Sequence, residues 1–158
     1  MPLVRILVDG YSLLHGWLEL APGKPRHSAH AREELVRVLT RYSDACGTPV
    51  TVVFDGQSPG GPAEIRSTSD VEILFSRTGQ TADQMIERAA HLLGAYGEVL
   101  VVSDDGAERE TVRSLGAATS NSFNFIQTVK AFLSDLDRDV KRHNERERNQ
   151  FKKRPDHA

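Results

Sequence analysis

The chain has 158 residues with a formal charge of −2, 39% hydrophobic and 27% charged residues, the size and composition of one globular domain rather than of a disordered or fibrous chain. No apolar run approaches the roughly 20 residues that span a bilayer, and Arg5 and Asp9 interrupt the first apolar stretch, so neither a membrane span nor a secretory signal is expected. A single cysteine, Cys46, excludes an intrachain disulfide and a cysteine-based zinc site. These features together predict a cytoplasmic protein.

Charge is unevenly placed. Residues 138–158 carry eight Lys/Arg against four Asp/Glu, which leaves an excess of six acidic groups in residues 1–137. An acidic body with a basic tail implies a cation for the first and an anionic partner for the second.

In chain order, Leu3 to Val8 is a nearly continuous apolar run that stops at Asp9-Gly10, as a buried parallel strand does. Leu35, Val38, Leu39, Tyr42, Ala45 and Cys46 follow helical spacing, with Gly47 as the stop and Pro49 beyond it. Val50–Phe54 repeats the strand pattern and ends at Asp55-Gly56, and Val71–Phe75 predicts a further strand. Between them, Gln57 to Ser69, with Pro59-Gly60-Gly61-Pro62, reads as a mobile loop. Thr81-Ala82-Asp83-Gln84 has the form of a capping box, and Met85, Ile86, Ala89, Leu92 and Leu93 continue one helix face. Val99–Val102 is a third strand ending at an aspartate pair, Asp104-Asp105. A helix from about Asp105 to Leu115, a short strand at 117–119 and a last helix from near Asn121 follow. Past Val140 the only apolar side chain of any size is Phe151, so residues 141–158 form a basic tail, either a frayed helical extension or disordered, behind a domain of residues 1–140.

Strands alternating with helices predict a three-layer α/β/α sandwich with a mostly parallel central sheet. In that architecture ligands bind beyond the carboxyl ends of the strands, which is where Asp9, Asp55, Asp104 and Asp105 stand. Asp83 opens a helix whose preceding loop returns to the same rim. Crowded carboxylates repel unless a cation neutralises them, and oxygen-only ligands suit Mg²⁺ or Mn²⁺, whose chemistry is phosphoryl transfer. Glu87, four residues after Asp83, lies on the same helix face and is an outer ligand candidate. Each aspartate also has a purely structural explanation: Asp105 with Glu108 three positions later suits a helix start, Asp83 sits in a first turn, and Asp-Gly is ordinary turn chemistry.

Other chemistries find less support. His27 and His30 are three apart, but no third zinc ligand matches them. Neither GxGxxG nor GxxxxGK occurs, nor a Gly-x-Ser-x-Gly elbow. A phosphatase of another α/β family would want Asp-x-Asp after the first strand, and Asp9-Gly10-Tyr11 does not supply it.

The runs Val8-Asp9-Gly10-Tyr11-Ser12-Leu13-Leu14, Val53-Phe54-Asp55-Gly56, Thr81-Ala82-Asp83 with Glu87, and Val102-Ser103-Asp104-Asp105 resemble, in order and spacing, the YacP-like branch of the NYN ribonuclease family, within the PIN-like metal-dependent nucleases. The resemblance covers residues 3 to about 140. It implies a PIN-like sandwich, an acidic Mg²⁺ (or Mn²⁺) site, and endonucleolytic cleavage of RNA, in some relatives on ribosome-bound messages. It makes Asp9, Asp83 and Asp105 the catalytic and metal-site carboxylates, with Asp104 beside them and Asp55 and Glu87 as outer ligands. Substrate contacts are then expected from Tyr11, Ser12, Asn121 and Arg109 near the rim and from Lys141 and Arg142 in the tail, with Arg66 and Arg77 as further rim cations. The chain departs from the family at Ser12, where asparagine is common: the hydroxyl remains, the amide's reach is lost, and Asn121 or Asn124 is a candidate replacement. The alternative of a different class is an RNA- or ribosome-binding protein whose nuclease site has degenerated.

Overall fold

The computed structural model describes residues 3–56, 71–77 and 79–153. The Gln57–Ser69 loop, Arg66 and Arg154 lie outside the described residues, as do the side chains of Lys152 and Lys153. Five parallel strands form one sheet: β1 (Leu3–Asp9), β2 (Val50–Phe54), β3 (Val71–Phe75), β4 (Glu98–Val102) and β5 (Ala118–Ser120), in the order β3-β2-β1-β4-β5. The chain builds outward from β1 on one side, then returns to its other side for β4 and β5. The order therefore reverses beside β1, whose register aligns Val8 with Val52 and with Val102.

The helices cover both faces. α1 (Gly10–Gly16), α2 (Ala29–Cys46) and α5 (Ser122–Lys153) lie on one, α3 (Ala82–Leu93) and α4 (Gly106–Ser114) on the other. Alternation along the strands divides the core accordingly. Ile6, Val8, Val52 and Phe54 pack with Leu13, Leu35, Leu39, Phe125 and Val129, whereas Leu7, Val53 and Val101 pack with Ile86, Ala90 and Val112. Ile6, Leu7 and Val8 are essentially inaccessible, and full burial of such side chains is worth about 1.5–3 kcal/mol each. This is a three-layer α/β/α arrangement with an entirely parallel sheet. Among the described residues no helix is long and apolar enough to cross a membrane.

Local signals set the boundaries. Thr81 and Gln84 form a reciprocal capping box at α3, and Gly47, at φ 78°, ends α2 in the left-handed region where a side chain would be strained. Three elements extend or add to the sequence reading. α1 is a seven-residue helix between two glycines, too short to show a hydrophobic period. α2 begins at Ala29, capped by the Ser28 hydroxyl, because its first turn buries Ala31 and Arg32 ahead of the apolar face. α5 continues as helix through Lys153, although the last buried side chain among its described residues is Leu133.

Gly10 joins β1 directly to α1. A Cβ there would meet the ring of Phe54 and stand 3.0 Å from Val52 Cγ1, neither of which has room to move. Gly10→Ala is expected to destabilise the protein by about 1–3 kcal/mol through overpacking. Thermal unfolding checks this, each kcal/mol lowering Tm by about 2–4 °C at this size.

Candidate metal centre

Asp9 is the last residue of β1 and caps α1: its carboxylate accepts from the backbone N–H of Ser12 (3.4 Å) and from the Ser12 hydroxyl (3.0 Å). Its side chain is thereby held at the sheet's carboxyl edge. Asp83 comes from the first turn of α3. The third member, Glu108, lies in the first turn of α4. Helical side chains lean toward the N-terminus of their own helix, so Glu108 turns back toward the end of β4. One carboxylate oxygen from each of Asp9, Asp83 and Glu108 lies within 4.8 Å of the others.

Glu108 is 2% exposed. Its Oε2 accepts from the Ser103 hydroxyl at 2.7 Å, while Oε1 is buried with no hydrogen-bond partner. An orphaned buried carboxylate oxygen is costly, and here the carboxyl group that carries it stands beside two more carboxylates. Burial, foremost, pushes the Glu108 carboxyl up to about 8; the Ser103 hydrogen bond opposes this and Asp83 and Asp9 reinforce it. Asp9 is raised above its ordinary value by burial first, against its two bonds from Ser12, with Asp83 and Asp55 adding repulsion. The donor set is all oxygen, partly desolvated and short of positive charge, and fits a divalent cation such as Mg²⁺ or Mn²⁺.

The other sequence candidates are distributed as follows. Asp55 is exposed, accepts from the Ser76 hydroxyl at 2.9 Å, and lines the same cavity as Asp9 and Asp83, together with Tyr11, Ser12, His15 and His27. Asp105 does not join the cluster: its carboxylate caps α4, accepting from the N–H groups of Ala107 and Glu108. Asp104 is likewise engaged elsewhere, accepting from the N–H of Ser122 at 2.8 Å at the start of α5. Glu87 is half-buried one turn along α3 and outside the three-carboxylate group. Asn121 spends its side-chain oxygen on the N–H of Asn124, and Arg109 donates to the carbonyl of Ser103. Lys141 and Arg142 are exposed on α5, and Arg77 lines a separate depression beside α3. Neither His27 nor His30 belongs to the carboxylate cluster.

Glu108 is the residue that sequence reasoning passes over. Asp105 and Glu108 at three-residue spacing read as a helix start, and Asp105 does perform the capping. The available signal was Ser103, whose hydroxyl accepts from Asp105 N–H and donates to Glu108, so that Glu108 turns inward instead of closing the cap.

The raised carboxyl makes metal-free stability depend on pH. Between about 4.5, the unfolded value of Glu108, and about 8, the folded protein holds a proton that the unfolded chain has released. Stability is therefore expected to fall as pH rises through that window, with a slope of up to about 1.4 kcal/mol per pH unit. Urea midpoints measured against pH in chelator should show this slope, and Glu108→Gln should flatten it.

Comparison with known proteins supports the same reading of the fold. The family model of the YacP-like NYN domain matches residues 6–158. YacP of Bacillus subtilis (strain 168), an uncharacterized protein, is 27% identical over 138 residues, 87% of this chain and 81% of that one. The crystal structure of a tryptophan-to-leucine mutant of Bacillus subtilis Rae1 (YacP) matches with a TM-score of 0.76 at 25% identity, covering 89% of this chain and 84% of that chain. A second crystal structure of Bacillus subtilis Rae1 (YacP) matches with a TM-score of 0.74 at 24% identity, over 95% and 86% of the two chains. With a parallel sheet of PIN-like form and a matched region that spans nearly its whole length, the chain belongs to the YacP-like NYN domain family.

Proposed function

We propose that the protein is a metal-dependent endoribonuclease of the cytoplasm, with Asp9, Asp83 and Glu108 holding Mg²⁺ or Mn²⁺. The observation that carries this reading is the buried Glu108, which has one carboxylate oxygen without a hydrogen-bond partner and stands in a group with Asp9 and Asp83, an arrangement that repulsion and desolvation disfavour in the absence of a cation. When bound, the cation supplies polarisation of the scissile phosphate, activation of water and stabilisation of the leaving oxygen. The chain's own residues set the geometry. Ser12 orients Asp9 through its hydroxyl, Ser103 orients Glu108, and Ser76 fixes Asp55 at the cavity edge, where it is suited to hold a water in the outer shell. Asp105 and Asp104 act one step removed, by fixing the starts of α4 and α5. Tyr11 and Ser12 line the cavity as substrate contacts. Ser12 in place of the family's asparagine is the argument for the degenerate-site alternative, and the hydroxyl that Ser12 donates to Asp9 supports the catalytic reading over it.

Cleavage of a labelled single-stranded RNA with Mn²⁺ or Mg²⁺, against chelator, tests the assignment. Asp9→Asn, Asp83→Asn and Glu108→Gln are each expected to lower kcat/KM by at least about 100-fold. Asp105→Asn keeps a good cap and is expected to cost less than about tenfold. Cleavage at the wild-type rate by the first three variants would rule the centre out.

The RNA strand also needs positive charge that the acidic body lacks. We assign that role to the exposed Lys141, Arg142, Arg146 and Arg148 on the far part of α5, and extend it to ribosome-bound RNA as one source of the substrate. Glu145 and Glu147 interrupt the run, and Glu147 pairs with His143 at 3.1 Å. Each phosphate contact on a single strand contributes about −0.7 to the slope of log affinity against log salt. Removal of residues 141–158 should weaken RNA binding and flatten that slope while leaving Mn²⁺ affinity unchanged; an unaltered slope moves RNA binding off α5.

A further inference from the structure

Five aromatic rings form a continuous ladder from the core to the mouth of the carboxylate cavity. Phe75 and Phe54 have ring centroids 5.5 Å apart, Phe54 and Tyr11 5.1 Å, Tyr11 and His27 4.1 Å, and His27 and His15 5.5 Å. Phe54 is fully buried, Tyr11 half-buried, and both histidines exposed. The segment that carries His27 has no regular secondary structure, yet its backbone is fixed on both sides of that residue. Before it, the Arg26 guanidinium donates to the carbonyls of Leu14, Trp17, Ala21 and Lys24. After it, the Ser28 hydroxyl caps α2. Arg32, only 7% exposed, donates to the carbonyl of His27 and to the Tyr11 hydroxyl, and its Nε is left buried without a partner. Burying a guanidinium with one donor unmet is unfavourable. Its result is an exposed imidazole held against a tyrosine ring.

We propose that His27, backed by Tyr11 and flanked by His15, is the stacking platform for the ribonucleobase adjacent to the scissile phosphate. The proposal rests on the RNA-cleaving reading and specifies how that site grips its strand. His15, His27 and Tyr11 line one cavity of about 410 Å³ with Asp9, Asp55 and Asp83, a volume in the range of small-molecule sites. Among the described residues of that lining there is no Lys or Arg. Apart from the cation that Asp9 and Asp83 would hold for the scissile phosphate, this wall offers a phosphate no Lys or Arg among its described residues, whereas a base presents a neutral π face, and stacking on aromatic rings is how single-stranded RNA is commonly gripped. The ladder confers rigidity: behind Tyr11 stands a fully buried Phe54, so the platform does not give way when a base presses on it.

The test uses the full chain and short single-stranded RNAs carrying 2-aminopurine at one position at a time, titrated with Ca²⁺ present. One position should be quenched on binding. His27→Ala should abolish that quenching and weaken binding by about 5- to 150-fold, whereas His27→Phe should keep both, since stacking needs a ring and not an N–H. An abasic site at the quenched position should erase the difference between wild type and His27→Ala. Melting temperatures equal to wild type establish that the variants fold. A phenylalanine variant as weak as the alanine one, or an alanine variant that binds like wild type, overturns the proposal. Cleavage of the same RNAs with Mn²⁺ is scored separately: a wild type that binds and quenches without cutting refutes the nuclease reading, and with it the placement beside a scissile phosphate, while leaving base stacking on His27 itself intact; a nuclease indifferent to His27 overturns the platform and keeps the nuclease.

Discussion

Everything in this molecule turns on the position of β1, a strand paired on both sides and covered on both faces, whose last residue must nevertheless reach solvent. Burial of Ile6, Leu7 and Val8 fixes its register against β2 and β4, and a shift of one residue would exchange the two cores. The backbone of Asp9 is thus located by the apolar residues before it, and its carboxylate by the two bonds from Ser12. Because the strand order reverses beside β1, the loops leaving β1 and β4 part to opposite faces and leave the crevice into which Asp9, Asp83 and Glu108 project. The carboxylate cluster is a consequence of topology, and the repulsion it generates is borne by the stability of the sheet beneath it.

β1, β2 and β4 are legible because burial on both faces requires nearly continuous β-branched and apolar residues, and each leads into an aspartate: Asp9, Asp55 and Asp104. α3 was readable from its capping box. Less was visible at the site, for a physical reason. A sequence shows which residues end a strand, but the neighbouring N–H groups decide what each carboxylate does. Asp104 and Asp105 occupy the expected rim and both are taken by helix N-termini, the commonest use of an aspartate in that position. Glu108 stands in a helix that looks polar, and only the relation of that helix to β4 turns it inward. α1 and the first turn of α2 are not legible in the sequence because short helices and buried arginines carry no hydrophobic period.

Hydroxyl groups do much of the positioning. Ser12, Ser76 and Ser103 each donate to one of the carboxylates around the cavity. A serine donor compensates part of the desolvation of its acid without adding a charge that would compete with a cation, as an arginine would. The arginines nearby are turned away from the acids: Arg26 and Arg32 are spent on backbone carbonyls and on Tyr11, and Arg109 on the carbonyl of Ser103. The negative field of the site is thereby preserved among the described residues while the loops around it are made rigid.

The two halves of α5 are held by different forces, and this has a bearing on cooperativity. As far as Leu133 the helix is anchored by Phe125, Ile126 and Val129 in the core; beyond it the described side chains are exposed. Apart from one exposed ion pair near its start, Asp137 with Arg41 of α2 at 3.6 Å, the outer part persists through local terms, chiefly helix-favouring Arg, Lys, Glu and Gln and the His143–Glu147 pair, each worth only tenths of a kcal/mol. Helices sustained in this way fray gradually with temperature instead of unfolding in one step. Ellipticity at the helical minimum, which samples all 32 residues of α5, and fluorescence of Trp17, buried at 4% exposure in the core, are therefore expected to follow different melting curves, the body unfolding in one step and the arm fraying.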